Sequence, residues 1–70
     1  MSSDPARQLA YRSYWAALQI WADARGLDKE KAHVLLKEIK GIKSLANVTT
    51  STIMNWAFEI DTINNGGPGL

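Results

Sequence analysis

Apolar residues recur with a helical period along three stretches of this chain, separated by breaks near Gly26 and after Gly41. From Pro5 to about Arg25 nothing interrupts a helix. At about 100° per residue, Tyr11, Tyr14, Trp15, Leu18, Trp21 and Ala22 share one stripe, the spacing of a core-facing helix. Asp4 is the expected N-cap, with Pro5 at the first helical position, where its missing N–H costs nothing. Gln8, Arg12, Gln19 and Asp23 form a narrow polar arc, while Leu9, Ala16 and Ile20 lie roughly opposite the main stripe. A helix with one buried face carries a wider polar arc than this. Either a second face packs within the domain or this helix docks on another chain.

The segment from Gly26 to Gly41 reads as a short basic helix. Asp28 is placed to accept a backbone N–H of the first turn, Leu27 to pack back before the cap, and Gly41 to close the last turn in the left-handed conformation. Ala32, Leu35, Leu36 and Ile39 form its expected core stripe, and Lys29, His33, Lys37 and Lys40 share a neighbouring arc that Lys43 extends past the cap. That arc is either a solvated face whose Lys stems cover apolar neighbours or a docking strip for an acidic peptide or a phosphate backbone. His33 reads as a surface residue without a chemical role, because no second His, Cys or nucleophile pattern accompanies it.

Ile42, Leu45 and Val48 recur every three residues, which predicts one turn of 3₁₀ or α-helix plugging the open end of the core. Thr49, Thr50 and Ser51 offer successive N-caps, and a third helix runs to Asn64 and Asn65, where Gly66 ends it. Its stripe is Ile53, Trp56, Ala57, Ile60 and Ile63, with Met54 and Phe58 pointing away beside Asn55 and Asp61. Met54 and Phe58 either flank a wide core or form a second contact surface. The reading is an all-α, small three-helix domain over residues 1–65, with a short helical turn between the second and third helices. Residues 66–70, Gly-Gly-Pro-Gly-Leu, read as a flexible tail.

Composition narrows the functional classes. Seventy residues make one small domain with a limited core. With no Cys and one His, no disulfide or zinc site is expected, and no cofactor is implied. The net charge of +1 supplies no global field, so an electrostatic partner has to be met by a local patch. No apolar run reaches the roughly 18 residues of a membrane span, and the start of the chain lacks a basic segment followed by an apolar one. A cytoplasmic location is expected. No phosphate loop, carboxylate pair in an evident pocket or activated nucleophile is present, so the chain does not read as an enzyme. The polar start of the third helix, with Thr49, Thr50, Ser51, Thr52 and Asn55, suggests a DNA-recognition helix. Two features argue against it: the connection from Gly41 to Thr49 exceeds a helix-turn-helix turn, and no Arg or Lys follows Lys43.

Gly26-Leu27-Asp28, a short helix holding His33 and Leu36, Gly41-Ile42-Lys43-Ser44-Leu45 and Val48-Thr49 follow in order over roughly residues 8–64. In this layout the chain resembles the phage Mu-type GemA family and the C-terminal helical domain of lambda-type Red beta single-strand annealing proteins. The shared features are caps, turns and apolar positions. The resemblance implies an adaptor that recruits an exonuclease or the acidic tail of the host single-strand-binding protein. The basic arc of Lys29, Lys37, Lys40 and Lys43 would be the natural seat of such a tail, although these lysines match no family motif. Without an annealing core, such a module would act as a homo-oligomer, an adaptor or an inhibitor.

The sequence thus leads to a non-enzymatic helical interaction module of phage type, acting on recombination or replication machinery. Its candidate partner-binding positions are Leu9, Ile20, Met54 and Phe58, for a protein partner or self-association. Its candidate acidic-partner or phosphate-binding positions are Lys29, Lys37, Lys40 and Lys43. A small DNA-binding transcriptional regulator and a structural subunit of an assembly are the alternatives.

Overall fold

The computed structural model describes residues 4–67. Three α-helices, α1 (Pro5–Ala24), α2 (Lys29–Lys40) and α3 (Thr50–Asn64), form an all-α domain with a single 3₁₀ turn, Leu45–Asn47, between α2 and α3. The tail residues Pro68, Gly69 and Leu70, and residues 1–3, lie outside the described residues.

Local chemistry sets the helix ends. Asp4 Oδ1 accepts the Ala6 N–H at 3.0 Å and Pro5 opens α1, while Thr49 Oγ1 accepts the Thr52 N–H at 3.3 Å at the start of α3. Asp28 occupies the N-cap position of α2, but its side chain makes no capping hydrogen bond, against expectation. The carboxylate still lies beside the positive end of the helix dipole. All three helices close alike, on a glycine at positive φ (Gly26 69°, Gly41 70°, Gly66 94°). In each case the next residue's N–H donates five residues back, Leu27 to Ala22 O, Ile42 to Lys37 O and Gly67 to Thr62 O. Gly66 and Gly67 therefore belong to the α3 cap.

α1 and α3 run in the same direction. Arg7, near the start of α1, reaches Val48 and Thr50 at the start of α3, and the Asn64 amide at its end donates to Ala17 O at 3.0 Å. Between these helices lie Ala10, Tyr14, Ala17, Leu18 and Trp21 from α1 and Ile53, Ala57 and Ile60 from α3, all buried. Leu45 and Val48 close the end of the core, with Ile42 packed against it, as the three-residue spacing predicts.

α2 departs from its expected orientation. Only Ala32 and Leu36 are buried; Leu35 and Ile39, expected in the core, are exposed together with Val34. The helix is rolled toward its basic edge. His33 Nδ1 lies 2.7 Å from the buried Tyr14 hydroxyl, its ring packs on Trp15 at 4.6 Å, and Lys40 Nζ pairs with Glu59 of α3 at 2.9 Å. These contacts draw the His33 and Lys40 side of α2 inward and turn Leu35 and Ile39 out.

Candidate interaction surface

The outer face of α1 is set by two requirements on one helix. Tyr14, Leu18 and Trp21 must point into the core, which leaves Leu9, Ala16 and Ile20 about half a turn away in solvent. Six large apolar side chains, Leu9, Ile20, Val34, Leu35, Ile39 and Phe58, keep 40–63% of their surface exposed. Apolar side chains exposed singly are common on small domains, whereas neighbouring ones mark candidate contact surfaces.

The sequence-predicted positions meet different fates. Leu9 and Ile20 share the outer face of α1, whereas Phe58 stands free on α3 and Met54, one turn before it, is half-buried against the core. Met54 thus flanks the core and Phe58 alone projects. Val34 was missed, and Leu35 and Ile39 were assigned to the core. On the outside of α2 an open apolar groove is lined by Leu27, Glu30, Lys31, Val34 and Leu35.

The basic arc is partly used within the fold. Lys40 is held by Glu59 and lies 5.5 Å from the centroid of the Trp56 ring, and Lys29 sits 5.9 Å from that of Trp15. Lys37 is half-buried and Lys43, past the Gly41 cap, is exposed. Lys29, Lys37 and Lys43 form no ion pair among the described residues. His33 is half-buried rather than a surface residue. Desolvation, with a smaller contribution from the Lys37 charge, holds its pKa below the ordinary 6.5. Burial in turn pushes the Tyr14 hydroxyl well above the usual tyrosine range.

Arg7 was also missed. Its guanidinium donates to Leu45 O at 3.0 Å, Val48 O at 2.9 Å, Thr50 Oγ1 at 3.3 Å and the Tyr11 hydroxyl at 3.0 Å, tying the 3₁₀ turn to α1. No cluster of three or more His, Cys, Asp or Glu side chains able to hold a metal occurs among the described residues. No helix is long and apolar enough to cross a membrane among them. Comparison of the chain with protein-family models, with curated proteins and with solved structures gives no match.

Proposed function

We propose that this chain is a non-enzymatic protein-interaction module that serves as an adaptor or inhibitor of phage or host recombination and replication machinery. The observation that carries the interaction reading is the solvent-facing apolar surface of α1, Leu9 with Ile20, on the side of the helix opposite its buried residues. The setting rests on the resemblance to the helical modules of the GemA family and of Red beta-like annealing proteins. On that reading the acidic tail of a single-strand-binding protein lies along Lys29, Lys37 and Lys43, the members of the basic arc that form no ion pair among the described residues, with its apolar groups on neighbouring exposed side chains. A DNA-reading role is disfavoured by α3 itself, whose only charged groups are the carboxylates Glu59 and Asp61.

Titrating the isotope-labelled protein with a synthetic acidic-tail peptide, followed by backbone amide shifts, tests this. Shifts centred on Lys29, Lys37 and Lys43, abolished by the double substitution K29E/K37E, are expected. An unchanged spectrum at about 1 mM peptide, a weak-binding limit near 4 kcal/mol, would reject the acidic-tail assignment.

A further inference from the structure

We propose that the outer face of α2 is a self-complementary interface on which a second copy of this chain docks antiparallel. It needs neither the adaptor reading nor any acidic partner, because it uses the side of α2 away from the lysine arc.

The argument starts from register. Val34 and Leu35 are adjacent, exposed and apolar, and Lys31 and Glu38 stand three residues before and three residues after them on the same exposed face. At about 100° per residue, Lys31 and Glu38 fall within roughly 20° of each other, with Val34 and Leu35 to either side of the line joining them. A two-fold axis perpendicular to α2, passing between Val34 and Leu35, sets Val34 of each chain against Leu35 of the other. The same operation puts Lys31 of each chain opposite Glu38 of the other, so one rotation forms two identical ion pairs. The pattern is isologous in charge as well as in shape: the face is positive at one end, apolar in the middle and negative at the other end.

The helix dipole gives an independent reason for the antiparallel orientation. Within its own helix Lys31 lies near the positive N-terminal end and Glu38 near the negative C-terminal end, the placement each charge disfavours. Beside an antiparallel copy, Lys31 lies next to the partner's C-terminal end and Glu38 next to its N-terminal end, and both interactions become attractive. Neither side chain has an ion-pair or hydrogen-bond partner among the described residues, so nothing within the fold must be given up. The groove that runs from Val34 and Leu35 toward Leu27 extends the apolar part. Its contact area, one short helix per chain, is far below the roughly 800 Å² per partner of a stable interface, so the dimer is of the weak, concentration-dependent kind.

Sedimentation equilibrium of the intact chain from about 10 μM to 1 mM, with K31E and E38K alone and mixed, provides the test. The wild type is expected to shift from monomer toward dimer across this range. Each single charge reversal replaces two attractive pairs with two repulsive ones and is expected to weaken self-association about tenfold. An equimolar mixture of K31E and E38K restores both attractions in the heterodimer and should associate at least as well as the wild type. Both residues are exposed, so folding is unaffected, and circular dichroism checks it. Leu35→Glu should abolish the dimer, whereas Leu9→Asp and Phe58→Asp should leave it intact. A wild type that stays monomeric throughout, a dimer indifferent to both reversals, or a mixture no tighter than its components would overturn the proposal.

Discussion

Replacing Arg7 by Ala removes the side chain that hydrogen-bonds the first turn of α1 to the crossing between α2 and α3. Four donor contacts are lost: two to the carbonyls of Leu45 and Val48, one to Thr50 and one to Tyr11. The Leu45 carbonyl retains the Val48 N–H at 3.0 Å, but the Val48 carbonyl must turn to water in a partly buried position. A hydrogen bond from a charged donor contributes a net of about 1.5–3 kcal/mol, and four bonds from one guanidinium do not add, because water replaces those that face solvent. Taking one such bond at full strength and discounting the rest gives a loss of about 2–3 kcal/mol. For a domain of this size that lowers the melting temperature by about 10–20 °C. Urea unfolding followed by tryptophan fluorescence and by circular dichroism measures it, with Tyr11→Phe as a control that loses a single contact and about 0.5–1 kcal/mol. Arg7→Lys, which keeps the charge but cannot span all four acceptors, should recover less than half of the loss. If Arg7→Ala falls within about 0.5 kcal/mol of wild type, the guanidinium is not fastening the turn and the account is wrong.

His33 makes stability depend on pH. Its folded-state pKa is depressed, so as the pH falls through the ordinary 6.5 the unfolded chain takes up the proton first. The stabilisation is present above that value and is lost on acidification below it. Urea midpoints at pH 7.5 and 5.5 should differ in the wild type and converge in His33→Gln; an equal pH slope in both proteins would remove His33 as the cause. Gly41 sits at φ 70° with open space where a Cβ would go, so Gly41→Ala should cost about 1–2 kcal/mol through backbone conformation alone. Thermal unfolding that shows no loss would mean that the last turn of α2 re-forms differently.

The parts of this fold that were legible in the sequence are those decided within a few residues. Asp4 with Pro5, the glycines after α2 and α3, and the Ile42, Leu45, Val48 spacing act locally, and the helices and the 3₁₀ turn lie where they indicate. The roll of α2 was not legible. Its apolar stripe favours burying Leu35 and Ile39, but Tyr14, Trp15 and Glu59, all 18 or 19 residues away from His33 and Lys40, hold the other edge. Arg7 escaped notice for the same reason, since the acceptors in the crossing lie 38 to 43 residues along the chain. Of the candidate surface, Leu9, Ile20 and Phe58 were legible because each breaks the polar side of an otherwise regular stripe; Val34 was not, because its exposure beside Leu35 follows from the roll of α2.

The parallel pairing of α1 with α3 also constrains how the chain acquires its structure. Most of the core joins the first third of the sequence to the last, so before α3 is made the stripe of α1 has only α2 to cover it, through Ala32, His33 and Leu36. The helix that supplies Ile53, Ala57 and Ile60 to the core arrives last. Closing that long loop is the costly step, which predicts slower folding than a bundle built from neighbouring hairpins of the same length. A truncation within α3 should therefore leave α1 with part of its apolar stripe uncovered and open to chaperones and to other copies of the chain.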